Sequence, residues 1–98
     1  MAKLGELLKA GLINPEEKII WHRKLQNQWH VAIVTKDGRV KTSDGQIHNS
    51  PSKAARHLNA GISINGWRVW KVERLSKTLL ELREQVGGTY SRKKLSVD

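Results

Sequence analysis

The sequence predicts an α+β fold: a curved antiparallel β-sheet of four or five strands with an N-terminal helix, a helix inserted before the last strand and a C-terminal helix. Three observations predict it. Leucines recur at helical spacing near both ends of the chain, apolar residues recur at a period of two through the middle, and two Asp-Gly dipeptides cut that middle into hairpins.

Each element has its own signal. Leu4, Leu7, Leu8 and Leu12 make one stripe of a short amphipathic helix, Gly11 suits its end, and Pro15 lies beyond it. From Lys18 the period changes to two in IIWHRK, WHVAIVT and RVKT, with a last short strand expected at Gln46–His48. Asp37-Gly38 and Asp44-Gly45 supply the positive φ that tight hairpins need. Along WHVAIVT, Trp29, Val31 and Ile33 share one face and His30, Ala32 and Val34 the other, so both faces are apolar and a sheet covered by helices is expected. Ser50 and Pro51 then open a helix as N-cap and first residue, running to Leu58, with Asn59 or Gly61 ending it. Asn65-Gly66 starts a strand over Trp67–Glu73. Leu75, Leu79, Leu82 and Val86 stripe a final helix stopped by Gly87-Gly88.

Ninety-eight residues fit one domain, expected over 1–88, with 89–98 as a disordered basic tail. The chain has no cysteine, so disulfides and thiolate metal sites are excluded. No run of eighteen apolar residues and no secretory pattern occur, and a cytoplasmic location is expected. The net charge of +9 is concentrated. Residues 18–74 hold eleven lysines and arginines against Asp37, Asp44 and Glu73. A basic excess on the folded part of a chain is the electrostatic footprint of a polyanion binder.

Catalytic chemistry finds no support. The four histidines lack metal-ligand spacing, Ser50 and Ser52 lack a nucleophile elbow, no phosphate-cradling glycine loop occurs, and Asp37 and Asp44 are explained by turns. A non-catalytic protein without a cofactor is expected. On the Ser50 helix, by contrast, Ala54, Ala55 and Leu58 form a small inner face, while Lys53, Arg56 and His57 form a basic outer one. Its start offers backbone N–H groups and the positive end of the dipole to a phosphate; the alternative is that Ser50 merely caps the helix. If Trp67–Glu73 is a strand, Trp67 and Trp70 point to opposite faces. Trp70, which shares a face with Val72, is then core, and Trp67 stands beside Asn65 and Arg68 at a groove rim, placed to stack on a base. Which tryptophan is exposed is for the structure to decide.

The order AGLINPEEKIIW, DG-turned meander, NSPSKAARHL, then NGWRVW and a leucine-striped helix resembles the RAMA domain, the module associated with restriction enzymes and adenine methylases. The resemblance covers roughly Leu4 to Gln85. Its specific parts are Ser50-Pro51-Ser52 with Ala54-Ala55, and Asn65-Gly66-Trp67 with Trp70. It implies a reader of double-stranded DNA, with modified bases among its candidate targets, serving a nuclease or methyltransferase in restriction-modification or DNA defence. It also implies Ser50, Ser52, Asn65 and Trp67 as binding residues. To these the charge pattern adds Lys53, Arg56, His57 and Arg68, with Ser50, Lys53, Arg56 and Arg68 expected on phosphates and Asn65 and Trp67 on a base. The rival reading from the same charge is a protein-interaction or inhibitor module that docks on an acidic partner.

Overall fold

In the computed structural model, which describes residues 3–86, the chain is α+β, with a six-stranded antiparallel sheet that is not closed. The elements follow in the order α1 (Leu4–Lys9), β1 (Glu17–Arg23), β2 (Gln28–Val34), β3 (Val40–Thr42), β4 (Ile47–His48), α2 (Pro51–Leu58), α3 (Gly66–Val69), β5 (Lys71–Val72) and β6 (Lys77–Thr78). A C-terminal helix, α4, covers residues 79–86. The strand order is β4-β3-β2-β1-β5-β6, so the meander continues on its far side into a second hairpin that the sequence reading did not contain. The tail over 89–98 expected to be disordered lies outside the described residues.

Local chemistry explains the meander. Both of its short turns read Thr-x-Asp-Gly. In each, the threonine hydroxyl bonds the aspartate carboxylate two residues on, and the glycine N–H donates to the threonine carbonyl, at 3.0 Å for Gly38 and 2.9 Å for Gly45. The chain then reverses through a glycine at φ of +82° and +88°, where a side chain would be strained. The β1–β2 ladder sets Ile19 opposite Ala32 and Trp21 opposite His30, and β3 and β5 extend the Ile19 row to Thr42 and Val72. These residues face the helices.

One core fills the space between this face and the helices. Leu4 and Leu7 from α1, Ala54 and Ala55 from α2, Trp67, Trp70, Leu79 and Leu82 are buried together against Ile19, Trp21, Ala32, Val34, Val40 and Val72. The expected helical cover reaches one face only: Trp29, Ile33 and Ile47 on the other face are exposed. Burying the first face already consumes the apolar stripes of the helices, and a chain this small has none left for the second.

Two further expectations are corrected. Residues 66–69 are a helical turn rather than the start of a strand, so Trp67 and Trp70 stand three residues apart on one side of it, and both are buried. Leu75, expected on the last helix, sits in the β5–β6 turn, where Ser76 takes φ of +53°. Of the two residues expected to end α2, Asn59 rather than Gly61 is its C-cap.

Burial against Trp21, and secondarily the charge of Arg23, holds the His30 imidazole below its ordinary pKa, and its Nε2 has no hydrogen-bond partner among the described residues. The unfolded chain therefore takes up the proton first as pH falls. His30 contributes stability above about pH 6.5, the ordinary histidine value, and that contribution is lost progressively below it. Urea unfolding followed from pH 7.5 to pH 5 should show a falling midpoint, and His30→Gln should flatten the decline.

Candidate nucleic-acid interface

The start of α2 is a tightly tied corner. Ser50 caps the helix, its hydroxyl oxygen accepting from Lys53 N at 3.1 Å. Ser52 Oγ accepts from Gly66 N at 3.0 Å, and Trp70 Nε1 donates to the Pro51 carbonyl at 3.1 Å. Asn65 caps α3, its Oδ1 accepting from Trp67 N at 3.1 Å. The helix start and the Gly66 corner therefore lie together, as the small Ala54-Ala55 face suggests. They lie so close that a β-carbon on Gly66 would fall 2.1 Å from the Pro51 carbonyl oxygen and 2.5 Å from Ser52 N.

That closeness alters the expected roles. Pro51 has no N–H, Lys53 N is capped, and Gly66 packs over Ser52 N, so the expected phosphate on the free amides of α2 loses those donors. Trp67 is 8% exposed, too covered to stack on a base, and the Arg83 guanidinium lies over its ring, 4.3 Å from the centroid. Ser52 and Asn65 spend their oxygens on the fold. The outer face of α2 is also partly committed: Arg56 Nε donates to the Gly61 carbonyl at 3.1 Å, and His57 meets Asp44 at 2.6 Å. Bonds from Thr42 and then His57 hold the Asp44 carboxyl well below the usual carboxylate range. Arg68 is exposed on α3.

What the structure does bring together is a groove of about 600 Å³ on the helical side of the molecule. Ser50, Lys53 and Trp67 line it, joined by Lys3 and Leu4 at the start of α1, Asp37, Gly38 and Arg39 in the β2–β3 turn, Asn49, and Arg83 from α4. Four cations converge on it against one acid. That acid is spoken for: Arg39 Nη2 lies 2.7 Å from Asp37, and bonds from Arg39 and then Thr35 lower the Asp37 carboxyl below its ordinary value. Lys3, Lys53 and Arg83 have no acid partner within ion-pair distance among the described residues. The turn is seated there by close packing, since a β-carbon on Gly38 would come within 2.9 Å of Gly5 N. The sequence reading missed Lys3, Asn49, Arg39 and Arg83. Arg83 in particular reads as part of a solvated helix face, and only the packing of α4 over Trp67 carries it to the groove.

The family model described as Restriction Enzyme Adenine Methylase Associated, or RAMA, matches residues 1–92. The chain belongs to the RAMA family. A human relative, ankyrin repeat domain-containing protein 31, is 34% identical over 80 residues, covering 80% of this chain. The chain spans only 4% of that relative's length. The association of RAMA domains with restriction enzymes and adenine methylases fits a restriction-modification context. Among the described residues, no helix is long and apolar enough to cross a membrane.

Proposed function

We propose that this RAMA domain is a non-catalytic module that binds double-stranded DNA through the groove between α1, the β2–β3 turn, α2 and α4. The observation that carries the reading is the convergence of Lys3, Arg39, Lys53 and Arg83, from four separate parts of the chain, on one concave surface. Surface charge spread for solubility has no reason to gather in this way, whereas a phosphate backbone rewards it. The Ser50 hydroxyl, which accepts from Lys53 N, keeps its own proton to donate to a phosphate oxygen.

Base reading passes from Trp67 to a carboxamide. Asn49 is exposed and lines the groove, and an asparagine amide pairs in two-pronged fashion with adenine N6 and N7. A methyl group on adenine N6 alters one of the two contacts, so this position is where preference between plain and methylated adenine would arise. Through such reading the module would serve a nuclease or methyltransferase partner.

The test is a titration of one duplex, unmodified and adenine-methylated, across a range of salt. Lys3→Ala with Lys53→Ala should weaken binding to both duplexes and reduce the slope of log affinity on log salt by about 2, one unit per lost phosphate contact. Asn49→Ala should erase any difference between the duplexes while leaving the slope unchanged. A wild-type slope unaltered by the double lysine variant would remove the groove from the reading.

A further inference from the structure

The open face of the sheet has an organisation of its own. The register lays Ile47, Lys41, Ile33 and Lys18 in one cross-strand row and Val31, Ile20 and Lys71 in the next. Trp29 and His22 follow, paired across β1 and β2, their rings stacked 3.8 Å apart and 4° from parallel. Trp29 is 57% exposed, Ile47 50% and Ile33 39%, so aliphatic side chains and one aromatic alternate with lysines across a surface no element of the described chain covers. Depressions of about 600 Å³ and 350 Å³ lie on either side of Lys41, both bordered by Ile33.

We propose that this face docks an amphipathic helix of a partner protein, apolar along one stripe and acidic along its flanks. Charge selects that occupant. Among the acids bordering the face, Glu73 is paired with Lys18 at 3.4 Å and Asp37 with Arg39, and Glu81, bonded to Thr78, stands between Lys71 and Lys77, which leaves Lys36 and Lys41 against Glu16. A second copy of a +9 chain would bring lysine against lysine. The chain's own residues 87–98 carry Arg92, Lys93 and Lys94 against Asp98 and repel the face likewise. Single-stranded nucleic acid stacks on successive aromatic rings, whereas here a single ring has one side occupied by His22 and its neighbours are aliphatic. Dimensions agree with a helix. The seven residues of β1 extend about 23 Å at 3.3 Å each, the length of roughly four helical turns. This face lies across the sheet from the DNA groove, so the two sites can be occupied together and tested apart.

The test selects a displayed library of helical peptides on the full chain, then records amide NMR spectra of the chain with the peptides recovered. Expected are peptides with apolar residues at i, i+3, i+4 and i+7 flanked by Asp and Glu, shifting the amides of Val31, Ile33 and Ile47. Ile33→Asp, and separately Lys41→Glu with Lys71→Glu, should each weaken those peptides by roughly tenfold or more while duplex DNA still shifts the same groove amides. The charge-reversal pair sits on exposed lysines and keeps the test valid should Ile33→Asp unfold. No enrichment, basic peptides, or peptides that shift only groove residues would overturn the proposal. So would an oligothymidine that shifts the same sheet amides and loses binding in Trp29→Ala, or a self-association that Ile33→Asp abolishes.

Discussion

Trp70→Ala should remove most of the stability of the fold at 25 °C. Trp70 is fully buried, meets Trp21 edge-on with ring centroids 5.9 Å apart, and donates its indole N–H to the Pro51 carbonyl. Truncating a buried tryptophan costs about 3–5 kcal/mol, and the abandoned carbonyl adds roughly 1–3 kcal/mol when it stays shielded from water. A domain of this size holds only about 5–15 kcal/mol, so one substitution can remove most of it. Trp70→Phe isolates the hydrogen bond: it should fold, with a lower urea midpoint. Trp67→Ala belongs to the same class, because Trp67 lies under Arg83 and within the core. A Trp67→Ala protein with native stability and altered DNA preference would restore the surface role that burial denies it.

Gly66→Ala should destabilise as severely as a core truncation, although it adds a single methyl group. That methyl would meet the backbone of Pro51 and Ser52 rather than the end of a movable side chain, so α2 and α3 must part. Parting them stretches the Ser52–Gly66 hydrogen bond and the Trp70–Pro51 one together. Overpacking typically costs about 1–3 kcal/mol, and the lost bonds add to it. Gly45→Ala makes an informative contrast, since nothing lies near its β-position and only its φ of +88° is strained. Comparison of the two urea midpoints separates close approach from backbone strain: Gly66→Ala should be the lower. Equal midpoints would mean the α2–α3 junction has more freedom than this packing gives it.

The parts of the fold legible in the sequence are those whose cause is local. Ser50-Pro51 opens α2 because a cap and a missing N–H act within one turn, and Thr-x-Asp-Gly closes each hairpin within four residues. The region after α2 is misread because its cause is distant. Bulky and β-branched residues in GWRVW favour a strand, but the contact of Gly66 with Pro51, fifteen residues earlier, fixes a helical turn and brings both tryptophans inside. The same limit applies to the site. Lys53 and Ser50 can be placed because they share a helix start, whereas Lys3, Arg39 and Arg83 converge only through packing. Arg68 and Arg56, chosen for charge, are carried elsewhere by the geometry of their own helices. Alternation in β2 correctly separates its two faces, yet it does not reveal that only one of them is covered.

Duplex DNA held in the groove should reveal itself in the amide shifts of the full chain when a duplex is added at low salt. The perturbed amides should cluster at Gly5, Gly38, Arg39, Asn49, Ser50 and Lys53, with Val31, Ile33 and Ile47 unmoved. Shifts centred on the open sheet face, or absent from both regions, would contradict it.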